Sequence, residues 1–160
     1  MLCDFVKDAP CLGLIQPHQY RAPEVILNIP WDEKVDIWSI GVMIWDMFYD
    51  HNLFDYRDLE GKPSTTYHLA QMVALLGPPP KDFLCRSTTD ALWEWFDEEG
   101  NWKAQIQIPD TSLEKAESRL TGEEKLNFPK FIWRMLKWKP EERSSAHELL
   151  EDDWLKDASK

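Results

Sequence analysis

Asp55, Asp58 and Glu60, followed by Asp90, Glu94, Asp97, Glu98 and Glu99, place carboxylates in two short stretches of this chain. A carboxylate offers two oxygens to the planar fork of a guanidinium, so these side chains could line a groove for Arg-rich segments. A charge run of this kind also reads as a plain solvated face. Cys3, Cys11 and Cys85 are odd in number, with neither Cys-x-x-Cys spacing nor histidines at zinc-like offsets. A disulfide framework or a structural metal is therefore unsupported, and a reducing interior fits best. His51, His68 and His147 show no ligand spacing and read as ordinary helix or helix-end residues. His18 could change charge near neutral pH, against the commoner reading of a solvated imidazole.

The six glycines, Gly13, Gly41, Gly61, Gly77, Gly100 and Gly122, lie too far apart to build a loop that cradles phosphate. A chain of 160 residues with 43% hydrophobic content and nine Trp supports one packed domain and excludes disorder throughout. Its net charge of −11 lacks the positive footprint that nucleic-acid binding requires, and favours basic partners. The longest apolar run, Ile37 to Phe48, is interrupted by Ser39 and Asp46 and falls well short of the roughly 20 residues needed to cross a bilayer. No basic segment precedes an apolar stretch at the start, so no secretory signal is read there.

The elements that must position these residues follow from periodicity. From Asp32 to about His51 apolar side chains occupy nearly the whole helical circumference, which predicts a helix surrounded by protein, with Asp32 and Glu33 in a first turn where the helix dipole favours them. Ser64 to Leu76 predicts a second helix, stopped by Gly77 and three prolines. Short helices and loops are expected between Asp82 and Ile108, with a turn at Gly100-Asn101. Thr121-Gly122-Glu123-Glu124 fits a capping box opening a helix with Phe128, Phe131, Ile132, Met135 and Leu136, and Pro129 is expected in its first turn or at a kink. A second box, Ser145 to Glu148, opens a shorter helix.

Ala22-Pro23-Glu24, the run Asp36-Ile37-Trp38-Ser39-Ile40-Gly41, and Pro140-Glu141-Glu142-Arg143-Ser144-Ser145-Ala146 occur in that order. Together they resemble the closing motif of a protein-kinase activation segment, the central helix of the large lobe, and the distal arginine motif of the serine/threonine protein kinases. Gln16-x-x-Gln19-Tyr20-Arg21, His68 to Met72 with Leu76-Gly77-Pro78-Pro79, and Trp95 to Gly100 most resemble the SR-protein kinases of the CMGC group and their fungal relatives. Nearly the whole chain is covered.

The resemblance implies a mainly α fold, the C-terminal (large) lobe portion of the protein-kinase-like fold without its N-terminal lobe. Residues 1–160 then form a partial kinase domain: an activation-segment end at 1–27, a central helix at about 32–51, an insert-like region at about 82–120 and terminal helices at about 121–157. Glu24 and Arg143 are expected to form an ion pair tying the activation segment to the distal helices, and Asp36, Trp38 and Gly41 to belong to the structural motif. Gln16, Pro17, His18, Gln19, Tyr20 and Arg21 are the expected substrate-contacting surface, although Pro17 and His18 stand where SR-protein kinases usually place Thr and Arg. The acidic residues Asp55, Asp58, Glu60, Asp97, Glu98 and Glu99 are candidates for docking basic peptides. Asp4, ahead of Phe5, is a weak magnesium candidate, since Val6 stands where that motif has Gly. No Ser or Thr precedes Ser39, so activation-loop phosphorylation is not expected.

No strand lysine with its partner glutamate and no His-Arg-Asp loop is found, and phosphoryl transfer by kinases needs both. The expected function is thus a portion of an ATP-dependent protein serine/threonine kinase, inactive as the isolated chain. The alternative is a non-catalytic, pseudokinase-like acidic module that binds basic or Arg/Ser-rich peptides. ATP and magnesium are expected for the complete kinase and neither for this chain alone. Protein substrates, with Arg/Ser-rich segments among them, are the expected partners, with no nucleic acid and no membrane. An intracellular, cytoplasmic or nuclear, location is expected.

Overall fold

A computed structural model describes residues 11–157, so Asp4 and its magnesium reading lie outside the described residues. The chain folds around one helix. α2 (Lys34–Phe48) is approached by the short α1 (Pro23–Ile26) and a 3-10 turn at His18–Tyr20 on its N-terminal side. α3 (Thr65–Leu76) and α4 (Lys81–Leu84) follow, then a 3-10 turn at Asp90–Glu94 and α5 (Leu113–Ala116). α6 (Gly122–Trp133), a 3-10 turn at Pro140–Glu142, α7 (Ala146–Leu150) and α8 (Asp153–Asp157) complete the order. Among the described residues there is no strand, only isolated antiparallel pairings such as Phe96 with Trp102.

α2 is shorter than its apolar pattern. Asp32 accepts the Lys34 N–H ahead of the first turn, at 2.9 Å. At the other end Tyr49 takes extended backbone, and Asp46 turns to accept the Leu53 N–H at 3.0 Å. Nor is the helix covered all round. Trp38, Val42 and Trp45 are fully buried, but Ile40, Met43 and Met47 form an exposed stripe in which Met47 is 77% exposed. Positions i, i+3 and i+7 share one face of a helix, and among the described residues no element packs over that face.

Burial on the other side is aromatic. Trp38 stacks on Phe54 at 5.6 Å, Trp45 stacks on Tyr49 and on Phe128, and Trp154 of α8 closes over Phe128 and Phe131. Offset rings of this size exclude more water per residue than any other side chains, so they tie α2, α6 and α8 into one core.

The two predicted helix starts behave differently. Ser145 and Glu148 form a reciprocal capping box. Thr121 makes no side-chain cap bond, because Gly122 follows it at a φ of 61° and the backbone does not carry the Glu124 N–H over the threonine hydroxyl. Pro129 stands inside α6, buried, and not in its first turn. α3 opens on Ser64 and stops at Gly77, whose φ of 75° only glycine adopts at little cost.

Candidate substrate-facing site

Glu24 is carried by the first turn of α1, and Arg143 follows the 3-10 turn that begins at Pro140. The two side chains are 0% exposed and meet fork to fork. Arg143 Nη1 donates to Glu24 Oε1 at 2.6 Å and Nη2 to Oε2 at 2.7 Å. The remaining guanidinium hydrogens go to the carbonyls of Lys137, Lys34 and Trp138. Every donor of the arginine is thereby used, which a lysine could not reproduce. Its plane lies 5.2 Å over the Trp38 ring, and Lys34 Nζ returns a bond to the Arg143 carbonyl at 2.8 Å. A buried ion pair holds register more than it adds net stability, so its effect is to fix α1 against α2 and the 137–143 turn.

That anchor is continuous with the Gln16–Arg21 segment. Gln16 sits at a φ of 66°, an uncommon conformation for a side chain of its kind. Its amide compensates by spanning three groups: Nε2 donates to the Val35 carbonyl at 2.9 Å and to Ser39 Oγ at 2.6 Å, while Oε1 accepts the Ala22 N–H at 3.0 Å. Ser39 Oγ in turn donates to the Tyr20 carbonyl. Arg21 donates back to the carbonyls of Ile15 and Gln16, and burial lowers its pKa. The polar end of Gln16 is therefore spent on α2 and Ala22, and that of Arg21 on the loop itself. Gln19 and Tyr20 are half-buried, leaving Pro17 and His18 as its exposed surface. His18 stacks flat on Tyr56 at 5.7 Å. Beneath lies His68, 2% exposed, whose pKa is pushed down to about 3, mainly by burial and further by Arg21 and His18.

Asp36 is exposed in the first turn of α2, and Gly41 lies deep in the core away from the loop. The acidic residues take up local duties. Asp55 accepts the Arg57 N–H, and Asp58 accepts those of Glu60 and Lys62. Glu60 pairs with Lys62 at 2.7 Å. Asp97 accepts from the Asn101 side chain and from the backbone of Asn101 and Glu99, bonds that hold its carboxyl below the usual range. Asp55 lines a cavity of about 700 Å3 together with Arg57, His51 and Gln71. Asp97 and Glu98 line another, of about 510 Å3, with Lys81 and Lys103. Asp55 and the Asp97–Glu98 pair thus line two different cavities, each of which also holds basic side chains.

The sequence model described as the protein kinase domain matches residues 8–155. The chain belongs to the protein kinase family. A serine/threonine protein kinase of Aspergillus fumigatus is 50% identical over 143 residues, covering 89% of this chain and 36% of that protein. The serine/threonine-protein kinase SRPK of Physarum polycephalum is 32% identical over 149 residues, covering 89% of this chain and 34% of that protein. The probable serine/threonine-protein kinase sky1 of Dictyostelium discoideum is 32% identical over 150 residues, covering 89% and 22%. The chain spans about a third or less of the length of these relatives.

For a kinase segment, the described residues hold no group of three or more His, Cys, Asp or Glu that could bind a metal ion, and no helix long and apolar enough to cross a membrane. Two further features escape motif reading. Arg86 pairs with Glu141 at 2.6 Å and Asp82 with Lys139 at 2.6 Å, joining α4 to the turn before Arg143. Buried Glu117 accepts the Tyr49 hydroxyl and the N–H groups of Arg119 and Leu120. Burial pushes its carboxyl up, but those bonds and Lys125 outweigh burial and hold it below its ordinary value. Nothing local in the sequence signals the first feature, since Arg86 and Glu141 stand 55 positions apart.

Proposed function

We propose that the chain is the substrate-facing part of an ATP-dependent protein serine/threonine kinase that phosphorylates protein substrates, with Arg-rich or Arg/Ser-rich segments among them. The observation that carries this reading is the buried Glu24–Arg143 fork, continuous through Lys34 and Val35 with the pinned Gln16–Arg21 loop. Such a scaffold presents a rigid surface on which an acceptor hydroxyl can be positioned, and positioning supplies much of the rate in phosphoryl transfer. ATP and magnesium belong to the complete kinase. The residues described here do not fit a metal site, so no step is assigned to a cation held by them.

As the isolated chain, the protein is expected to bind no nucleotide. Calorimetric titration with Mg-ATP, together with a phosphotransfer assay on an Arg/Ser repeat peptide, tests this: no heat and no transfer are expected, and micromolar affinity would overturn it. The second reading, an acidic module that captures basic peptides without chemistry, is favoured by Glu98 and Glu99, which are exposed and form no ion pair among the described residues. Peptide capture without phosphotransfer by the complete protein would select that reading.

A further inference from the structure

The loop after α4 is sewn to the residues just beyond α1 by hydroxyl groups. Thr88 N–H donates to the Asn28 carbonyl at 3.1 Å, and Thr88 Oγ1 donates to the same oxygen at 2.9 Å. Asn28 Nδ2 donates back to Thr88 Oγ1 at 2.8 Å. Ser87 Oγ donates to the Leu27 carbonyl at 2.7 Å. Asn28 is held at a φ of 52°, so this seam stabilises a backbone conformation that asparagine tolerates better than most residues. Thr65, Thr88, Ser118 and Thr121 are the exposed hydroxyl residues among those described, and of these Thr88 bonds through its side chain to a segment 60 residues away.

We propose that Thr88 is a phosphorylation site, and that its modification by a protein serine/threonine kinase with ATP opens this seam. In the transfer, a bond forms between Thr88 Oγ1 and the γ-phosphorus as the bond from that phosphorus to the β,γ-bridging oxygen breaks. The hydroxyl proton passes to the modifying kinase, and ADP leaves. The product has lost the hydrogen that bonded the Asn28 carbonyl and sets a charge of about −1.5 to −2 against that oxygen. Arg86, two residues earlier in the chain, is the cation this proposal assigns to the phosphate. It is shared at present between Glu141, at 2.6 Å, and Asp82, at 3.6 Å. Phosphate oxygens accept the same forked donation as a carboxylate and carry more charge, so they compete for the guanidinium. Modification would therefore loosen two links at once: the seam to Asn28, four residues after Glu24, and the Arg86 tie to the turn that precedes Arg143. The inference does not depend on the substrate proposed above.

The test uses the full chain produced in yeast, mapped for phosphopeptides, with amide hydrogen exchange compared between the phosphorylated and unmodified fractions. Phosphate on Thr88 is expected, with the Thr88 amide exchanging at least tenfold faster once modified while the Val42 amide in α2 is unchanged. Thr88→Val, which removes the hydroxyl without adding charge, should accelerate exchange of the residue 88 amide by less. Absence of phosphate from Thr88 overturns the site. Phosphate on Thr88 with an equally protected amide overturns the opening.

Discussion

Gly41 of α2 passes so close to the 135–136 turn that a Cβ built on it would stand 2.9 Å from the Met135 Cβ and 3.2 Å from Leu136 Cδ2. Both neighbours are fully buried, and the nearer atom is the Met135 Cβ, which moves only with its backbone. The missing side chain is what allows α2 to lie against the chain leaving α6.

Gly41→Ala is therefore expected to destabilise the protein by about 1–3 kcal/mol, the usual range for overpacking a tight core. Gly61→Ala is the comparison, since a Cβ there meets nothing within 4 Å and any effect comes from its φ of 77° alone. Urea denaturation of the two variants checks this. A Gly41→Ala midpoint equal to that of the wild type would mean that the crossing can relax.

The fork between Glu24 and Arg143 gives a sharper energetic signature. Glu24→Ala and Arg143→Ala should each cost about 3–5 kcal/mol, because either leaves the other charge buried without its partner. The double variant should be little worse than either single one, since residues of one buried pair are not independent. A double-mutant cycle by chemical denaturation measures the coupling, and simple additivity would contradict it.

What the sequence made legible was the part encoded in local pattern or in an ordered motif. Ser64 before α3 and the Ser145 box are local chemistry, and the Glu24–Arg143 pair was readable from motif order despite a separation of 119 positions. The Gln16 clamp was not, because its three partners come from α2 and from the approach to α1, and nothing near Gln16 in sequence announces them. The Thr121 box failed on one backbone angle at Gly122. The acidic stretches were legible as charge but not as geometry: Asp58 and Asp97 turned out to cap their own turns, and which carboxylates remain free is decided by those turns.

Stability should rise with pH through the titration of His68. Its folded-state pKa of about 3 lies below the ordinary 6.5. Between those values the unfolded chain binds a proton that the folded chain refuses, so the contribution is complete above about pH 6.5 and is lost as pH falls toward 3. The charges facing the imidazole, Arg21 and His18, both oppose its protonation. Melting temperature measured from pH 7 down to pH 4 should fall, and His68→Phe, placed against the Phe54 and Tyr56 rings, should flatten that slope. An unchanged slope in the variant would assign the acid sensitivity to other groups.

Capture of Arg/Ser-rich peptides, if it uses the second acidic stretch, should depend on the carboxylates that structure leaves free. Glu98 and Glu99 are exposed, whereas Asp97 is committed to its turn, so Glu98→Gln with Glu99→Gln removes charge without unfolding the loop. Affinity of an Arg/Ser repeat peptide should fall several-fold in this double variant and fall steeply with added salt, because exposed charges are screened over about 8 Å at physiological ionic strength. Asp55→Asn probes the larger cavity independently, where Arg57 offsets the acid and a smaller loss is expected. Replacing the peptide's arginines by lysines should weaken binding further, as a point charge cannot bond both carboxylate oxygens in plane. Fluorescence titration at two salt concentrations reads all of these, and equal affinities for wild type and the double variant would reduce Glu98 and Glu99 to a solvated surface.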